Sequence, residues 1–158
     1  MRQKTNTKHK IWIDVLSRYQ IVGGALGVIF TLLQLGPLME STYGLVFFLV
    51  LVGLFVFSGY CGVLLYMETY ENGLFYSLIN QALQVVQLSL AGVSFKYISG
   101  LGVTQYYHMD EGYFTTSVIL SNANIYVSGV MKSVVGINVV AVGLVILIFY
   151  LRHLIIKL

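Results

Sequence analysis

Four apolar runs decide what this chain can fold into. Residues 19–36, 45–66, 74–94 and 134–151 each approach the length needed to cross a hydrocarbon core, about 20 apolar residues. Apolar-class residues make up 58% of the 158 positions and charged residues only 9%. A chain of this size cannot enclose so much apolar surface in one core and still show water a polar face. The bilayer is the alternative solvent. The expected fold class is an all-α integral membrane protein, a four-transmembrane-helix bundle forming one domain over residues 1–158.

The basic residues orient that bundle. Arg2, Lys4, Lys8, Lys10 and Arg18 precede the first run, and Arg152 and Lys157 follow the fourth. An even number of spans puts both groups on one side, which the positive-inside rule makes cytoplasmic. Residues 1–18 are then a basic cytoplasmic arm ending in an interfacial helix, where Asp14 and Arg18 sit four apart and are spaced to pair. Anionic headgroups should attract this arm. Asp14 and Arg18 also interrupt any signal-peptide core, so the first run, closed by Pro37, is expected to be retained. Trp12, Tyr19, Tyr43, Tyr66 and Tyr70 flank the first two runs as an aromatic belt. The expected location is a bacterial inner (plasma) membrane with both termini cytoplasmic.

The third run is unusual in carrying Asn80, Gln81, Gln84 and Gln87. On a helix, Ser77, Asn80, Gln84, Gln87, Ala91 and Ser94 follow the 3,4,3,4,3 spacing of a packed seam. An unpaired amide in hydrocarbon costs several kcal/mol, whereas Leu, Ile and Val each return only about 0.3–0.6 kcal/mol on insertion. The seam must therefore face protein or water. Interhelical glue is the favoured reading, and a pore lined by the same carboxamides is the alternative. A ligand site between helices is a third. The other runs are expected to pack closely at Gly23 and Gly27, at Ser58 and Gly62, and at Gly136 and Gly143.

Residues 101–133 are expected to form a small outer-side segment between helices 3 and 4, containing a β-hairpin turned near Ser121-Asn122. The layout is similar to that of tetraspan families such as the tetraspanins, which place their longest outer loop there. Tetraspanins carry several cysteines and a Cys-Cys-Gly motif in that loop, and Leu101–Ser133 has no cysteine.

Chemistry is sparse. No phosphate-binding loop, dinucleotide fingerprint, HExxH, GxSxG or CxxC occurs. The lone Cys61 excludes an intrachain disulfide. His108, Asp110 and Glu111 are the one cluster of metal-ligand types, too few for a complete site. No basic run interleaved with aromatics exists beyond the first eighteen residues, so nucleic acid is not an expected partner. The expectation is a non-enzymatic protein without cofactor or metal. It would act as a subunit or scaffold of a membrane assembly whose partners are the bilayer and a second copy or another membrane protein. The alternative is a small oligomeric channel or pore-forming effector.

Overall fold

The computed structural model describes residues 7–36, 43–127 and 132–156. Pro37, Arg2, Lys4 and Lys157 lie outside them. The described elements run α1 (Thr7–Leu33), α2 (Gly44–Tyr66), α3 (Tyr70–Val85), β1 (Val86–Leu90), β2 (Val93–His108), β3 (Tyr113–Val127), β4 (Val134–Asn138) and α4 (Val139–Ile156). The all-α four-helix membrane bundle expected above is therefore wrong. Among the described residues, four helices are joined by an antiparallel four-stranded sheet, and α1 and α2 are the two helices long and apolar enough to cross a membrane.

The third run fails as a span because its helix stops at Val85. The 16 residues of α3 are about 24 Å long, short of a 30 Å core. From Val86 the chain alternates: Val86, Leu88 and Leu90 point outward while Gln87 is buried. That period of two is a strand's. Ala91 and Gly92, at φ +51° and +80°, close a two-residue hairpin with Leu90 opposite Val93. The fourth run is divided too. Residues 134–138 are strand β4, and the Asn138 Oδ1 accepts the amides of Val140 and Ala141 to cap α4.

The outer hairpin is larger than expected and turns elsewhere. β2 and β3 pair from Val93↔Val127 to His108↔Tyr113, so the turn is Met109–Gly112 rather than Ser121-Asn122. Ser121 instead sits opposite a bulge at Ser99-Gly100, where the register shifts between Ile98 and Leu101. The bulge bends β2. Its first three residues pair with β1 and its last five residues pair with β4, while β1 and β4 pair with each other. Three strands thus close a small ring. β3 lies along the outside of β2, at the end of the strand order β1-β4-β2-β3.

Two apolar clusters hold the layers. At one end, Ile13 and Leu16 of α1 meet Leu65 of α2, Tyr70 and Leu74 of α3, and Ile148, Leu151 and Ile155 of α4. The four helices do meet there, but only over half the length of α1 and α2. Along the other half the sheet replaces α3 and α4, with Leu51 and Phe55 of α2 packed on Tyr97 and Ala123.

Candidate functional site

Between these clusters lies a layer of buried polar side chains, and the carboxamides of the third run form its centre. Ser77, Asn80, Gln81 and Gln84 have no exposed surface, and Gln87 is nearly as enclosed. Except at Gln81, their partners come from helices and sheet of the same chain. The Ser77 hydroxyl donates to Gln20 Oε1 at 3.0 Å. The Asn80 Nδ2 donates to Ser58 Oγ at 3.1 Å, and its Oδ1 accepts the Tyr97 hydroxyl at 2.8 Å. Gln84 donates to the Asn80 carbonyl at 3.3 Å and accepts the Ser99 amide at 2.8 Å. Ser99 Oγ donates to Ser58 Oγ at 2.7 Å. Gln87, already in β1, donates to Thr104 Oγ1 at 3.1 Å across the strand ring and accepts the Tyr106 hydroxyl.

The seam therefore continues along a helix only through Ser77, Asn80 and Gln84. Ala91 is a turn residue and Ser94 lies in β2, lining a 60 Å³ cavity with Gln87, Ser89, Lys96 and Tyr106. Lys96 Nζ sits 6.0 Å from the centre of the Tyr106 ring, and partial burial pushes its pKa down. Gln81, one step off the seam, is buried with neither Oε1 nor Nε2 partnered among the described residues.

The glycines predicted for close packing divide by position. A Cβ on Gly23 would lie 2.4 Å from the Gly100 nitrogen, one on Gly27 would enter the Phe55 ring, and one on Gly62 would lie 2.6 Å from the Ser17 carbonyl. Ser58, Gly62's neighbour on the small face, carries the hydroxyl hub described above. Gly136 is in β4 against the Tyr106 ring, and a Cβ added at Gly143 would meet nothing within 4 Å beyond its own helix. The two residues thus do not share a helix face.

Sequence reasoning missed most of the sheet's contribution. Tyr97, Ser99 and Ser121 bring β2 and β3 to the helices. Ser121 Oγ accepts the Gly100 amide and donates to the Gly23 carbonyl, both at 2.9 Å, and the Tyr19 hydroxyl donates to the Leu101 carbonyl. The signal was present in the alternation on both sides of Ala91-Gly92.

The other polar groups serve turns. His108 stacks on Tyr113, Asp110 accepts the Ser133 amide at 2.7 Å, and Glu111 pairs with Lys132. Among the described residues no group of three or more His, Cys, Asp or Glu is placed to hold a metal. At the opposite end, α2 closes in a Schellman turn. The Thr69 amide reaches the Leu64 carbonyl and the Glu68 amide reaches Leu65, with Glu68 at φ +61° where glycine is usual. Glu68 Oε1 binds Lys10 Nζ at 2.9 Å beside a 440 Å³ cleft. Comparison with protein-family models, curated proteins and solved structures gives no match.

Proposed function

We propose that the chain is a non-enzymatic subunit of a membrane assembly, joined to a second copy through the free edge of β3. The observation that carries this reading is the character of that edge. β3 has fifteen residues, no charge and no proline, and pairs with no described strand except β2. Phe114, Val118, Leu120, Tyr126 and Val127 are all more than half exposed. Soluble proteins guard such edges with lysine, proline or short length. An open edge cannot face hydrocarbon either, because its amides and carbonyls would go unpaired. A strand from a second copy satisfies both constraints, and an uncharged edge meets its own copy without repulsion.

Membrane placement is supported by α1 and α2. Only 33% of the most apolar window of α2 is buried, so most of this helix's apolar surface needs a cover that the chain does not supply. The start of α1 and the end of α4 share one apolar cluster, which fits both termini on one side. The basic residues make that side cytoplasmic, in a bacterial inner membrane on this reading. The bonding of Asn80, Gln84 and Gln87 inside one chain supports a packing role for them over a pore lining.

The test is the mass of the complex extracted in mild detergent. Wild type is expected at a multiple of the protomer mass. Val118→Lys with Leu120→Lys, two exposed positions on one face of β3, is expected to give folded monomer. A monomeric wild type, with native-membrane cross-linking that also yields monomer, overturns the reading.

A further inference from the structure

The cleft beside Lys10 has a charge order that matches one class of ligand. It encloses about 440 Å³ and is lined by Lys10, Asp14, Arg18, Tyr66, Met67 and Glu68. Pockets of this size take small molecules. Lys10, Asp14 and Arg18 recur every four residues on α1, so they lie on one side of the helix about 6 Å apart along its axis. Lys10 is engaged by Glu68. Asp14 and Arg18 form no ion pair with each other, although their spacing allows one. Tyr66, 70% exposed, lines the cleft as an aromatic of a membrane interface does. Glu68 holds its carboxylate there from a left-handed backbone conformation that a non-glycine residue rarely adopts.

We propose that this cleft binds the headgroup of a zwitterionic phospholipid bearing a phosphate and a primary ammonium. The inference rests on the membrane placement proposed above. With the start of α1 at the cytoplasmic face, Arg18 is the deepest charge, Asp14 lies one turn further out, and the Lys10–Glu68 pair lies at the mouth. A phospholipid presents its groups in the complementary order, phosphate nearest the acyl chains and ammonium outside it. The Arg18 guanidinium offers a forked donor to phosphate oxygens. The Asp14 carboxylate accepts from the ammonium. The exposed apolar flank of α1, including Val15 and Val22, runs on from the cleft where the acyl chains would lie.

The experiment uses the full chain. Alkaline carbonate extraction first reports whether it is integral to the membrane, independently of any lipid preference. Detergent-solubilised wild type, Arg18→Gln and Asp14→Asn are then titrated with phosphatidylethanolamine and with phosphatidylglycerol, and bound lipid is counted by native mass spectrometry. Wild type is expected to retain one phosphatidylethanolamine in preference to phosphatidylglycerol. Arg18→Gln should lower retention of both about tenfold, and Asp14→Asn should erase the preference while leaving binding. Thermal unfolding should be unchanged in both variants. Equal retention by wild type and folded Arg18→Gln overturns the proposal, as does a preference that survives Asp14→Asn. Displacement of the lipid by millimolar inorganic phosphate would make the ligand a free anion and also overturns it.

Discussion

The Tyr97 hydroxyl donates to Asn80 Oδ1 at 2.8 Å, fastening the bent strand β2 to the middle of α3. The Tyr97 hydroxyl oxygen also lies 2.8 Å from the Leu54 carbonyl of α2, and the Asn80 Nδ2 continues the chain of bonds to Ser58. Three elements therefore meet at one phenol. Burial pushes the pKa of this phenol up, so it remains a donor throughout the working pH range. Tyr97→Phe keeps the packing against Phe55 and removes the donor. It is expected to lower stability by about 1–3 kcal/mol, the cost of a buried acceptor left unpaired. Thermal or denaturant unfolding in detergent measures it. A double cycle with Asn80→Ala should show coupling of about 0.5–3 kcal/mol.

Gln81 and Gln84 are one turn-step apart in their roles, although both are fully buried. Gln84 accepts the Ser99 amide, whereas Gln81 has no partner among the described residues. Replacement by methionine keeps the length and removes the polarity. Gln84→Met should destabilise by about 1–3 kcal/mol because the Ser99 amide is orphaned. Gln81→Met should be neutral or stabilising, since an unpaired buried amide is removed at no other cost. The order of the two melting temperatures is the readout, and a Gln81→Met loss as large as that of Gln84→Met would contradict the assignment.

How far these features were legible in the sequence depends on which period governed each stretch. The apolar character of α1 and α2, the polarity of one face of α3 and the need to shield it could all be read from residue type. The break after Val85 was harder. Ser77, Asn80, Gln84, Gln87, Ala91 and Ser94 fit a heptad, yet Val86 to Leu90 fit a strand equally well. Short apolar runs are ambiguous between the two by periodicity alone. The Ala91-Gly92 turn flanked by alternation on both sides favoured the strand. The value of β1 lies in pairing with β2 and β4, contacts that no local pattern reveals. For the same reason Ser99 and Ser121 were invisible as members of the polar layer. Each is brought to it by a bulge.

The glycines give a paired test of where the helices are close. Gly23→Ala places a methyl against the backbone of Gly100, which cannot rotate away as a flexible side chain can. It should force α1 from the bulge and lower stability by about 1–3 kcal/mol, as overpacking does. Gly143→Ala meets nothing within 4 Å and should stabilise α4 by up to about 1 kcal/mol through helix propensity. Unfolding of the two variants under the same conditions checks both signs.

The hairpin tip should respond to acid. A hydrogen bond from Lys132 holds the Glu111 carboxyl below the usual carboxylate range. A carboxyl with a depressed folded pKa adds stability above its unfolded value and loses it as pH falls through the folded one. The pair is exposed, so the effect is local and salt-sensitive. Carboxyl-carbon chemical shifts should place the Glu111 titration below that of an ordinary glutamate, and Lys132→Met should raise it toward the ordinary range.

The carboxamides of the third run tie α3 to the sheet within one chain. Hydrogen exchange at the Ser99 amide reads this most directly, because that amide is buried and bonds to the Gln84 side chain. In wild type it should be protected, and in Gln84→Met it should exchange about tenfold faster or more, while Gln81→Met leaves it unchanged. Exchange at Ser99 that is the same in wild type and Gln84→Met would contradict the account.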